Sequence, residues 1–249
     1  MIRHIDAIFL PVLNLEESLE WYKKYFGVKV NWRDREGWNA AGVSFEFGGM
    51  VLLERELINQ SDHIRFNLYT PDVAFSYRHL KENGVEVNKF VQYDDMDCFD
   101  FKDSSGNWIG IVGCWKEEGV EQGEYGGPDA VFLPVSDIKK ATEWYHSLFG
   151  FQYHIATDLD PQYPFRYGFN RIGSDRNHPR GFSLVETPKR YPTSHIPFNM
   201  QTEDIEKVHR YLKEKGVTVT DIMDSGTFLW FNFTDLDGNE LGFVEGGRS

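Results

Sequence analysis

FLPVLNLEESLEWYKKYFG, Phe9 to Gly27, is answered 123 residues later by FLPVSDIKKATEWYHSLFG, Phe132 to Gly150. Both stretches open on Phe-Leu-Pro-Val and close on Phe-Gly, with Glu-Trp-Tyr starting eleven residues after the first phenylalanine. In the first, Leu15, Leu19, Tyr22 and Phe26 recur at helical spacing, with Asn14 placed to cap the start and Gly27 the end. Asp137 and Gly150 hold the same places in the second. The apolar run Asp6–Val12 before the helix reads as a buried strand.

The repeat continues downstream at a different offset. HIRFNLYTPDV from His63 matches HIPFNMQTEDI from His195, an offset of 132. The same offset relates KENGV to KEKGV, at Gly84 and Gly216, and SGN to DGN, at Gly106 and Gly238. One insertion of nine residues after Gly150 reconciles the two offsets. The Pro-, Gly-, Asp- and Arg-rich segment Asp158–Gly181 carries it and reads as an extended loop. Motifs that keep their order across both halves mark a duplicated domain. Residues 1–115 are expected to form the first copy and 128–249 the second. The polar, glycine-rich stretch 116–127 is the expected linker.

Within the first copy, VKVNWR, GVSFEFG and MVLLERE follow the helix as short strand candidates, with Gly48-Gly49 as a hairpin turn. The pattern then restarts. HIRFNLY alternates as a strand does, PDVAFSYRHLKENG is helical up to Gly84, and VEVNKF, CFDFKD and NWIGIVG are strands. Each copy is therefore two β-α-β-β-β units in an α+β fold, four units in all.

Composition bounds the function. The 249 residues are 41% hydrophobic and 16% aromatic, enough for sizeable cores and aromatic pocket walls. A formal net charge of −13 argues against nucleic acid, which needs clustered Lys and Arg, and against an anionic membrane surface. Two cysteines without a CxxC pair suit reduced thiols in the cytoplasm. The first residues, broken by Pro11, Asn14 and Glu16, are too short an apolar run for a signal or a membrane span. Phosphate-loop, nucleophile-elbow and HExxH motifs are all missing.

These motifs together resemble the glyoxalase / bleomycin-resistance / extradiol-dioxygenase superfamily, the vicinal oxygen chelate fold. The resemblance rests on the strand and Trp-Tyr helix, on the His-Ile strand with a helix ending in Asn/Lys-Gly-Val, and on DLDGNELGFVEG with its looser counterpart DSSGNWIGIVG. It covers essentially the whole chain. It implies four βαβββ units paired into two glyoxalase-like domains, whose curved mixed sheets form cups. In metal-dependent relatives, ligands on the first, fourth, fifth and eighth strands hold a divalent ion that chelates vicinal substrate oxygens. Carried onto this chain, the first-strand positions fall on Ala7 and Ala130 and the eighth on Gly110 and Gly242. The fourth fall on Glu54 and Glu186 and the fifth on His63 and His195. Each cup would have one Glu and one His, short of the three protein ligands of catalytic zinc or the two His and a carboxylate of non-haem iron.

Three functions follow, in order of preference. The first is a cup without a cofactor that binds a small apolar or aromatic molecule, with Trp32, Trp38, Phe99, Tyr163, Phe165, Trp230 and Phe231 as candidate contacts. The second is a lyase or dioxygenase using Zn, Ni, Mn or Fe on Glu54, His63, Glu186 and His195. The third is a non-catalytic interaction scaffold. Alternation along TFLWFNF sets Trp230 on the face opposite Phe231 and Phe233, and the inserted loop is a candidate lid over a cup. Exposed sheet edges would let two chains pair as a homodimer.

Overall fold

The computed structural model describes residues 2–34, 37–46, 48–56, 64–93, 96–114, 125–151, 153–155, 166–170, 181–187 and 196–246. Four βαβββ modules follow one another. The first is β1 (Ile2–Val12), α1 (Leu15–Phe26), β2 (Lys29–Asp34), β3 (Ala40–Ser44) and β4 (Gly49–Glu54). The second is β5 (Phe66–Tyr69), α2 (Val73–Glu82), β6 (Val91–Gln92), β7 (Met96–Lys102) and β8 (Trp108–Cys114). The third is β9 (Gly127–Val135), α3 (Ile138–Phe149), β10 (Tyr153–Ile155), β11 (Arg166–Asn170) and β12 (Gly181–Glu186). The fourth is β13 (Phe198–Thr202), α4 (Ile205–Glu214), β14 (Met223–Asp224), β15 (Phe228–Thr234) and β16 (Glu240–Gly246).

The strands form two eight-stranded mixed sheets, ordered β14-β15-β16-β13-β1-β4-β3-β2 and β10-β11-β12-β9-β5-β8-β7-β6. β13 runs parallel to β16, and β5 to β8. Two compact units result. Phe9–Ala130 is one, and Val131–Ser249 together with Met1–Ile8 is the other. The first eight residues thus pack with the second copy, because Ile2–Ile8 pairs antiparallel with Phe198–Thr202. Sequence similarity divides the copies between strands, whereas contacts divide them inside β1. Tyr125, from the expected linker, is buried with its ring 4.6 Å from Phe26, and Gly126 donates its N–H to the Tyr69 carbonyl. The end of the 116–127 stretch is therefore packed, and residues 115–124 lie outside the described residues.

The caps expected from sequence form. Asn14 accepts from Glu17 N and Asp137 from Lys140 N, while Gly27 and Gly150 close their helices with φ of 62° and 69°. Leu15, Leu19, Tyr22 and Phe26 are buried as one face of α1. Two strand expectations change. VEVNKF gives only an isolated bridge, Val87 to Phe101, before the short β6. The inserted segment is not all loop, since Arg166–Asn170 pairs as β11 with β12 and with β10. Its Pro- and Gly-rich surroundings hid a strand that the module requires between its neighbours.

The repeated motifs are a fastening. Asp103 sits buried below α1 and accepts four hydrogen bonds. Ser105 N and Asn107 N donate to Oδ1 at 2.9 and 2.8 Å, and Tyr22 OH and Asn107 Nδ2 to Oδ2 at 3.0 and 2.9 Å. Asn107 Nδ2 also donates to the Pro11 carbonyl. In the second copy Tyr145 OH donates to Asp235, and Asn239 Nδ2 to both Asp235 and the Pro134 carbonyl. The Pro of FLPV, the Tyr of EWY and the Asp and Asn of the DxxGN turns thus join the two modules of each copy.

Candidate functional site

Side chains alternate across a strand, so one face of each module lies under its helix and the other faces away. β8 sends Ile109 and Ile111 into the core and Gly110 and Val112 the other way; β7 sends Phe99 and Phe101 inward and Cys98 and Asp100 outward. In the fourth module Phe231, Phe233, Leu241 and Phe243 are core, while Trp230, Asn232 and Gly242 face away. The face turned from the helices is where a ligand can meet the sheet.

Phe99 and Phe231, expected as ligand contacts, are therefore core residues, 2% and 0% exposed. Phe99 packs edge-on against Tyr77 of α2, and Phe231 against His209 of α4. Trp230 is half-buried on the opposite face, 5.3 Å from the ring of Phe228. Trp32 is 45% exposed, and its indole lies over Gly42 of the paired strand, where an added side-chain carbon would fall 2.1 Å from Nε1. Trp38 is exposed in the turn before β3, where its N–H donates to Asp34 and its carbonyl accepts from Arg55. Tyr163 and Phe165 lie outside the described residues.

Glu54 and Glu186 have another use than the expected one. Their alternation puts them on the helix side of β4 and β12, in line with Leu52 and Leu184. Glu54 Oε2 accepts the N–H of Leu15 at 2.8 Å, and Glu186 Oε2 that of Ile138 at 2.9 Å. Each carboxylate thus meets the first turn of its module's helix, where the unpaired N–H groups and the helix dipole favour an anion. Glu245 does the same for Ile205 in the fourth module, at 2.7 Å. In the second module this place is Gly113, because an added carbon would lie 2.3 Å from the Thr70 carbonyl oxygen.

The eighth-strand glycines are also explained locally. Gly110 lies beside Asn67 and Asp100 on its neighbouring strands. An added carbon there would fall 2.1 Å from Asn67 Oδ1 and 3.3 Å from Asp100 Oδ1. Gly242 lies likewise between Asn199 and Asn232, with Asn199 Cβ at 3.0 Å. Asn199 Oδ1 accepts the N–H of Ala7 at 2.9 Å, beside a register shift in β1. On this face each copy thus has a glycine beside amide side chains, joined in the first copy by the carboxyl of Asp100. The asparagine four residues after the histidine of His-Ile-x-Phe-Asn, repeated as Asn67 and Asn199, lies beside the glycine in each copy.

The residues matching Glyoxalase/Bleomycin resistance protein/Dioxygenase superfamily sequences are 4–111 and 127–243, a match in each copy. The chain belongs to this superfamily. No curated protein matches it. Among solved structures, this superfamily member is similar to a "putative dioxygenase" from Bacillus subtilis subsp. subtilis str. 168 (15% identity, TM-score 0.77, covering 100% of this chain and 86% of that one). It is also similar to glyoxalase I from Zea mays (16% identity, TM-score 0.74, 97% and 92%). At these identities the likeness is one of fold.

A divalent metal is common in this superfamily, and the described residues do not fit one. Ala7, Ala130, Gly110 and Gly242 offer no donor side chain, and Glu54 and Glu186 are committed to helix ends. Among the described residues, His, Cys, Asp and Glu nowhere gather in threes as ligands would. His63 and His195 lie outside the described residues. No helix among the described residues is long and apolar enough to cross a membrane.

Proposed function

We propose that this superfamily member binds a small aromatic or apolar organic molecule on the helix-free faces of its sheets, without a metal held by the protein. The observation that carries this reading is the pair Glu54 and Glu186, the only carboxylates at candidate ligand positions, which are turned to helix N-termini. Indoles support it as well: Trp32 over Gly42, and Trp230 beside Phe228. An exposed indole offers a flat, weakly hydrated surface on which an aromatic ring loses little by leaving water.

The test is a thermal-shift screen of small aromatic compounds, with metal analysis of protein purified without chelators. A ligand that binds only the native state raises the midpoint. A hit whose shift shrinks in Trp32→Ala or Trp230→Ala is the expected result. Near-stoichiometric Zn, Ni, Mn or Fe that is lost on His63→Ala and His195→Ala would overturn the metal-free reading.

A further inference from the structure

Arg65 stands just before β5, within the unit Phe9–Ala130. Ile64, Phe66 and Leu68 are core, so alternation sets Arg65 with Asn67 on the helix-free face. Arg65 is half-buried, yet its guanidinium forms no hydrogen bond or ion pair among the described residues. The chain carries 39 Asp and Glu against 26 Lys and Arg, so this is not for want of carboxylates. The carboxylate whose charge reaches it is that of Asp103. A carboxylate has about four acceptor sites, and Asp103 has filled them. Ser105 N and Asn107 N donate to Oδ1, and Tyr22 OH and Asn107 Nδ2 to Oδ2. Burial accordingly lowers the guanidinium's pKa, with the Asp103 charge as a partial offset. A half-buried planar fork of N–H donors, left open in this way, matches a carboxylate brought from outside the chain.

The neighbouring strands extend the site. The Arg65 N–H donates to the Trp108 carbonyl, and Trp108 lies opposite Lys102 in the β7–β8 ladder. The three residues form one row across β5, β8 and β7, on one face of the sheet. Trp108 is half-buried. Lys102 Nζ lies over its ring, 4.8 Å from the centroid, and is paired with Glu86 at 2.8 Å. Lys102 thus steadies the indole while Glu86 neutralises its charge. The unbalanced charge of the row is that of Arg65.

The second copy differs at all three places. Pro197 replaces Arg65, Glu240 replaces Trp108 and Thr234 replaces Lys102. That row has neither the cation nor the indole, and it has gained a carboxylate.

We propose that Arg65 seats the carboxylate of a small aromatic acid whose ring rests against Trp108. The guanidinium would donate paired N–H bonds to the carboxylate oxygens, and its charge would discriminate the acid from a neutral isostere. The equivalent row of the second copy would not take such an acid. This rests on the small-molecule reading above and names the ligand class for the first copy.

The test compares phenylacetate with phenylacetamide, one skeleton with and without the charge. Binding to the full chain is followed by calorimetry and by chemical shifts at neutral pH. The acid is expected to bind at least about tenfold more tightly, a factor equivalent to about 1.4 kcal/mol. Arg65→Met should abolish that preference without lowering the ligand-free melting midpoint, because it removes a half-buried charge that has no partner to lose. Arg65→Lys, which keeps the charge, should retain a preference for the acid, and Glu240→Ala in the other copy should leave it unchanged. Equal affinity for the two probes, or a preference that survives Arg65→Met, overturns the proposal while leaving the aromatic reading intact. A midpoint lowered in Arg65→Met would mean that the guanidinium serves the fold through Asp103, and would overturn it as well. Failure of both probes to bind also overturns it, and the broader thermal-shift screen then judges the aromatic reading separately. Displacement of phenylacetate by equimolar inorganic phosphate would mean that Arg65 seats a bare anion, and would overturn it too.

Discussion

Tyr22 donates to the buried Asp103, and Tyr145 to the buried Asp235. Burial pushes both carboxyls above the ordinary carboxylate range, and the donors around them pull the other way. Tyr22→Phe removes one of those donors and is expected to cost about 1.5–3 kcal/mol of stability in urea unfolding. The penalty has a direction in pH. A carboxyl whose folded pKa is raised holds its proton where the unfolded chain has lost it, so stability falls as pH rises through that window. Without the tyrosine, Asp103 is raised further and the fall is steeper. The Tyr22→Phe deficit should therefore be larger at pH 7 than near pH 4, and a deficit that is flat across that range would contradict the assignment. Asp103→Asn is expected to do worse than Tyr22→Phe at neutral pH, because its NH₂ would face groups that already donate.

At the scale of elements, the three glutamates at helix starts make one comparison. Glu54→Ala, Glu186→Ala and Glu245→Ala should each cost about 0.5–2 kcal/mol, the usual loss when a helix N-terminus forfeits its side-chain acceptor. Glu54→Gln should recover most of the loss, since an amide oxygen can still accept from Leu15 N. Full loss of stability in Glu54→Gln would mean that charge, not the acceptor, matters. These glutamates show where sequence reading reached its limit. Their position near a strand end was legible, but the face they occupy depends on register, and a one-residue difference inverts it. The helices, their caps and the hairpin at Gly48-Gly49 were legible because each depends on local chemistry. Phe99 and Phe231 could not be separated from Trp230 by residue type, because an aromatic strand looks alike on both faces until a helix is known to cover one. The amide pair Asn67 and Asn199 was visible as a repeat, yet its relation to Gly110 and Gly242 exists only across neighbouring strands.

At the scale of the whole molecule, the duplication is written in sequence but its contacts are divided differently, with Met1–Ile8 in the compact unit of the second copy. Ile5 and Ile8 are fully or almost fully buried there, and Arg3 forms an ion pair with Glu203 on an exposed surface. Burying an isoleucine is worth about 1.5–3 kcal/mol relative to leaving it in water, whereas an exposed ion pair is screened by solvent and contributes little. The apolar pair therefore dominates. Deletion of residues 1–8 strips β13 of its antiparallel partner and leaves Met200 and Phe198 uncovered on that side. Hydrogen exchange should then accelerate in Phe198–Thr202 and in its parallel neighbour Gly242–Val244. It should change little in β7 and β8, whose partners lie wholly within Phe9–Ala130. Arg3→Ala should leave β13 protected, because the ion pair is the minor part of the strand's hold. Equal acceleration in β7 and β8 after the deletion would instead mean that the eight residues support both copies alike.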